Sequence, residues 1–257
     1  MWLGRVGNSQ NVIRNLTRRP RVHARIFLRK DLVANSYWQE KVNIYYTCDK
    51  RSAVMCKKYP NKYTALKVLE QAEKLNPGSW RQHSEFVALA CKNVAEHCTN
   101  LDSNKAYILG LLHDIGRQVG IVSERHTIAG YQYCMEQGWE EVAKICVTHS
   151  FMIQDIHSAI GKWDVTKEEY ELTESIINSA VYDDYDLLVQ LSDALALPTG
   201  FCLLEKRFID VVFRYGIHEY SVARWKRTIE IKDYFEKKMK CSIYDVLPNV
   251  KENTFAY

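Results

Sequence analysis

From residue 62 onward, apolar positions recur every three or four residues almost without a break, which is the period of an amphipathic helix. Ala65, Val68, Leu69 and Ala72 form the first stripe, "NPGS" at 76–79 interrupts it, and a longer stripe runs from about Trp80 to His97. Asp102 or Ser103 is placed to cap a third helix, which carries "AYILGLL" and ends at His113. Further helices are expected from about residue 125 to Gly138 and over 139–149. Another follows a cap at Thr166 with acids in its first turn, and "DDYDLLVQLSDALALPTG" gives one stopped by Pro198 and Gly200. "HEYSVARWKRTIEIKDYFEKKM" has the stripe of a long amphipathic helix. Strand-like runs are few, and "KVNIYYT" within 31–55 has no evident partner. The pattern therefore predicts an all-α bundle over residues 56–200, with a helical extension over 201–257 packed on it.

Charge changes the picture at one end only. Eight of the 35 Lys and Arg fall in residues 1–30, which hold no acid; the other 27 face all 31 acids, so the remainder is about −4. The basic excess is an arm over residues 1–55, read as a tail outside the fold or a misassigned start, with Met55 as a natural beginning. A transit peptide is the alternative reading. No basic face for nucleic acid is expected on the bundle. The longest apolar run, about seven residues, is far short of the ~20 that span a bilayer, so no membrane association is expected. The eight cysteines include no CxxC pair and suit reduced thiols in a cytoplasmic protein.

Candidate chemistry lies where apolar helix faces end in polar residues. "AYILGLLHDIGR" runs directly into His113 and Asp114. Val142, Cys146 and His149 stand at i, i+4 and i+7, so that imidazole continues a buried stripe, and Val87, Ala90 and Val94 share the face of His83. His126 in "RHTIAGYQYCM" and Asp193 in "LSDALALP" occupy similar positions. A buried His or Asp needs a partner, and four His with two Asp converging in a helical core suit a divalent metal.

The order His, His-Asp, His, His, Asp resembles the HD-domain superfamily of metal-dependent phosphohydrolases. The matching segments are "HS" followed by "VA" at 83–88, "GLLHDIGR", the His and Gly at 126 and 130, "THS" at 148–150 and "SDAL" at 192–195. The resemblance covers residues 60–200 and implies a helical bundle around one or two metal ions. Carried over position by position, it implies that His83, His113, Asp114 and Asp193 hold a first ion. His126 and His149 would hold a second, with Asp114 bridging, although the interval from Asp114 to His126 is shorter than in many two-metal relatives.

Such donors suit Fe, Mn, Co, Ni or Zn. The implied reaction is hydrolysis of a phosphoester or phosphoanhydride of a nucleotide or similar small molecule by metal-activated hydroxide. Asp114 would orient the nucleophile, and Arg117 and Arg125 are candidates to contact substrate phosphate. Asp186 and Gln190 share the helix face of Asp193 and are candidates to support it, while His97, His157 and His218 read as surface or packing residues. Two alternatives are a di-iron oxygenase of the same superfamily and a metal-containing regulatory protein that binds a ligand without turnover. The extension after Pro198 would be a helical cap or a homodimer surface, and the expected seat of substrate selectivity.

Overall fold

A computed structural model describes residues 58–255; the basic arm, "KVNIYYT" and the proposed start at Met55 lie outside them. Among the described residues ten α-helices and one two-strand hairpin are present. Asn61 opens α1 (Lys62–Leu75) by accepting from the Thr64 amide. The second helix, α2 (Trp80–Glu96), buries His83, Val87, Ala90, Cys91 and Val94 along one face. Asp102 caps α3 (Ser103–Leu112) at the amides of Asn104 and Lys105. With Ile108, Leu109, Leu111 and Leu112 all buried, α3 is the axis of the core, and it packs most extensively on α2.

A 3₁₀ turn (Ile115–Val119) leads from α3 towards α4 (Arg125–Glu136), which pairs with α5 (Glu140–Thr148). Two capping boxes start the next helices: Thr166 with Glu169 for α6 (Lys167–Ser179), and Asp183 with Asp186 for α7 (Asp184–Leu195). Each satisfies two amides that the first turn leaves orphaned, and loss of such a cap costs about 1 kcal/mol.

The sequence pattern carries α7 on to Pro198, but the helix stops at Leu195. Ala196–Leu197 (β1) instead pair antiparallel with Gly200–Phe201 (β2), in the register Ala196 to Phe201. Pro198 lies in the connecting turn, and Gly200 has a φ of 140°, which a side chain would strain. The extension continues as α8 (Leu204–Tyr215), α9 (Ser221–Met239) and the short α10 (Val250–Phe255). α9 is tied to the start of α7, because Tyr234 Oη and Lys238 Nζ both donate to Asp184. α8 is attached differently: only Leu204 of its twelve residues is buried.

Candidate metal centre

Five helices deliver the polar residues to one place. His83 comes from the first turn of α2, His113 and Asp114 from the end of α3, His126 from the start of α4, His149 from the end of α5 and Asp193 from the last turn of α7. His83 Nε2 is 2.9 Å from Asp193 Oδ1. Asp114 Oδ1 lies 3.3 Å from His126 Nε2 and 3.6 Å from His149 Nε2, and those two nitrogens are 3.4 Å apart. His113 stands between the groups, its ring 5.4 Å from that of His83 and 4.8 Å from that of His149.

Two triads could hold a metal: His83, His113 and Asp193, and His113, Asp114 and His149. Within each, the donor atoms fall within 4.8 Å of one another. His113, rather than Asp114, is the residue common to both. Arg117 Nε takes Asp114 Oδ2 at 2.5 Å, and Oδ1 faces His126 and His149.

The backbone sets the orientation of three imidazoles. His113 Nδ1 donates to Gly110 O at 2.8 Å, His149 Nδ1 to Ile145 O at 3.0 Å, and His126 Nδ1 to Ser123 O. A carbonyl can only accept, so Nδ1 carries the proton and Nε2 of the neutral ring presents its lone pair inward. Burial keeps these rings neutral: it lowers the pKa of His113 and His149, and that of His126 to about 3, where Arg117 adds to the effect. Burial opposes ionisation of the two aspartates as well. Arg117 together with His113, His126 and His149 outweighs it at Asp114, and His83, Arg207 and His113 together do so at Asp193, so both carboxyls are held well below the usual range.

The donors therefore fit a divalent cation. His113 Nε2 and Asp114 Oδ1 are buried without a hydrogen-bond partner. Such atoms ordinarily cost about 1–3 kcal/mol each, and a cation between them removes that cost.

Two features fix the surroundings. Gly116 lies against α4, and a Cβ there would fall within the backbone of His126 and Gly130; only hydrogen allows the 3₁₀ turn to approach the helix that carries His126. Behind His149, Thr148 Oγ1 donates to Asp186 Oδ1 at 2.7 Å and Gln190 Nε2 to Thr148 O at 2.8 Å, while Lys144 Nζ holds the other Asp186 oxygen at 2.7 Å. Asp186 thus serves both the α7 capping box and the end of α5, and ligand-bearing turns braced in this way hold their geometry.

The cluster opens on a cleft of about 500 Å³ walled on its far side by α8 and α9. Four arginines line it, Arg117, Arg207, Arg214 and Arg224, against the carboxylates of Asp114, Glu124, Asp193 and Asp210. Of the two arginines expected at substrate, the structure brings only Arg117 into the cleft. Arg125 is turned outward, its Nη2 3.4 Å from Glu169 and its amide on Asp164.

Arg207 and Arg224 lie outside the motifs and also reach the site. Arg207 Nη2 lies 3.5 Å from Asp193 Oδ1, and half-buried Arg224 donates to the carbonyls of Ser150 and Ser158. His218, expected as a surface or packing residue, is exposed and also lines the cleft. Glu124 was also overlooked: its Oε1 accepts from the Gly161 amide at 2.7 Å, its buried Oε2 has no partner, and burial raises its pKa. The available signal was a stripe, because Ser221, Arg224, Trp225 and Thr228 follow helical spacing and all face the cleft.

The family model of the HDOD domain matches residues 63–183. The HDOD domain is related to the HD superfamily, so the resemblance read from the motifs holds at that level, without specifying phosphohydrolase chemistry. The HDOD match includes His83, His113, Asp114, His126 and His149 but stops short of Asp193 and the extension. No curated protein and no solved structure matches the chain. No helix among the described residues is long and apolar enough to cross a membrane.

Proposed function

We propose that the chain is a metal-dependent phosphohydrolase cleaving a phosphoester or phosphoanhydride of a nucleotide or similar small molecule. One observation supports this reading: buried donor atoms without partners, on His113 and Asp114, belong to one group of possible metal ligands, beside an arginine-lined cleft that Asp114 itself lines. A divalent ion held by His83, His113 and Asp193, with or without a second at His113, Asp114 and His149 beside His126, would supply positive charge to a phosphoryl oxygen and lower the pKa of water.

The protein residues do the positioning. The backbone carbonyls behind Nδ1 fix the histidines, so little reorganisation accompanies the reaction. Arg117, with Nε engaged by Asp114, keeps that carboxylate ionised and has its remaining N–H groups for a phosphate oxygen. The four carboxylates and four arginines lining the cleft balance, so each divalent ion adds a net charge of about +2 that favours an anion.

The test pairs elemental analysis with phosphate release from a panel of nucleotides, run with and without O₂. Bound metal with O₂-independent release is expected, and both should fall in His83→Ala, Asp114→Ala and Asp193→Ala. Phosphate release that survives all three substitutions would sink the proposal. The HDOD match favours a second reading, a regulatory module that binds its ligand without turnover. Calorimetric binding of a nucleotide that is never hydrolysed would select it.

A further inference from the structure

The cleft has two unlike sides. The His and Asp cluster with Arg117 forms one, and the other comes from α8 and α9, which lie outside the HDOD match. α8 turns Phe208, Val211, Val212 and Tyr215 to the cavity, at i, i+3, i+4 and i+7. From α9 comes Trp225, its ring stacked on Phe208 at 5.7 Å and 21°. The first three of these α8 residues and Trp225 are half-buried, and Tyr215 is 46% exposed.

A surface helix ordinarily turns such a stripe into the core. Here it meets open space instead, continuous with a charged centre. The side-chain types lining the cleft narrow what can occupy it. No Asn or Gln, the amide side chains that read base edges by paired hydrogen bonds, lines the cavity among the described residues. Beside the charged Arg207, Asp210 and Arg214 that α8 also brings to the cavity, shape and apolarity are what its Phe208, Val211, Val212 and Tyr215 stripe can recognise.

We infer that α8 and α9 form the leaving-group subsite, which takes the apolar, ring-bearing part of a phosphomonoester whose phosphate faces the His and Asp cluster. The phosphate end of this inference rests on the phosphohydrolase reading; the wall is its own claim. Phe208, Val212 and Trp225 set the preference for a ring over a small alkyl or polyol group, and a purine and a pyrimidine serve about equally. A volume of about 500 Å³ is ample for one aryl phosphate.

The experiment is calorimetric titration of the full chain, loaded with Mn²⁺, with phenylphosphonate and methylphosphonate, neither of which it can hydrolyse at the P–C bond by ester cleavage. Phenylphosphonate is expected to bind about tenfold more tightly, the difference made by burying one ring. Val212→Ser and Phe208→Ala should each lower that ratio to about threefold or less. Val212 carries no stacked ring, so its variant tests the wall even if loss of Phe208 disturbs Trp225. Equal affinity for the two phosphonates, or a ratio that survives both substitutions, would overturn the inference alone. Failure of both phosphonates to bind would overturn it together with the phosphohydrolase reading.

Discussion

Replacing Gly116 by alanine tests the argument that a missing side chain, as much as the ligands themselves, forms the metal centre. A Cβ at that position would meet the His126 carbonyl and the Gly130 amide closer than the 3.0 Å that real Cβ atoms respect. Both obstacles are backbone, so no rotamer change relieves them; the 3₁₀ turn or the start of α4 must move by about 1 Å. Overpacking against yielding side chains costs about 1–3 kcal/mol, and against two rigid backbones the upper end or more is expected. For a domain of this size about 3 kcal/mol lowers Tm by roughly 6–12 °C. The displacement falls between Asp114 and His126, whose donor atoms are 3.3 Å apart, and leaves His83 and Asp193 on other helices untouched. Gly116→Ala should therefore lose metal at the Asp114, His126 and His149 side first, read by elemental analysis beside a thermal melt. A variant with wild-type Tm and wild-type metal content would show that α4 is not seated by this contact.

Acid should destabilise the metal-free protein well above the range where carboxylates protonate. Burial holds the pKa of His113, His126 and His149 below 6.5, so the unfolded chain binds their protons first. Their contribution is complete above pH ~6.5 and is lost as pH falls towards the folded values, about 3 for His126, with a slope of up to about 1.4 kcal/mol per pH unit for each ring. Urea midpoints that stay flat between about pH 7.5 and 5 would contradict neutral buried rings. Thr148→Val deprives Asp186 of a donor and His149 of its brace; a loss of about 1–3 kcal/mol and roughly tenfold weaker metal binding are expected, and an unchanged metal titration would refute the bracing role. Arg117→Ala should lower kcat/KM by about 10²-fold and Arg125→Ala by less than about twofold. The reverse order in steady-state assays would mean that Arg125 leaves Glu169 to reach the substrate.

Much of the centre was legible because the ligands end helices whose apolar stripes point them inward. His149 follows Val142 and Cys146 along one face, and His113 follows the most apolar helix among the described residues, so burial predicted convergence. The contrast between Arg117 and Arg125 shows what spacing conceals. Arg117 is three residues from Asp114, in a 3₁₀ turn where i and i+3 eclipse, and the two side chains meet. Arg125 directly precedes His126 on an α-helix, where neighbours project about 100° apart, so a buried His126 turns Arg125 away. The hairpin after Leu195 was hidden because Ala196 and Leu197 continue a helical pattern. Its outcome is set by distant partners, such as Asn253, whose Nδ2 donates to Phe201 O. The α8 and α9 stripes were visible as periodicity, but no local feature says that they face a cleft.

The position of Asp193 has a consequence for how this protein can be divided and compared. The family match ends at residue 183, yet the last turn of α7 supplies Asp193 to His83, and the same helix supplies Asp186 and Gln190 to the turn behind His149. A fragment cut at the homology boundary would retain four histidines and Asp114 but lose the acid opposite His83 and the brace behind His149. It would be an incomplete donor set, and a failure to bind metal would say nothing about the whole. Equally, a chain recognised by that match alone has not yet been asked for its second aspartate. Whether a relative can share this donor set is decided some ten residues beyond the point where the resemblance stops.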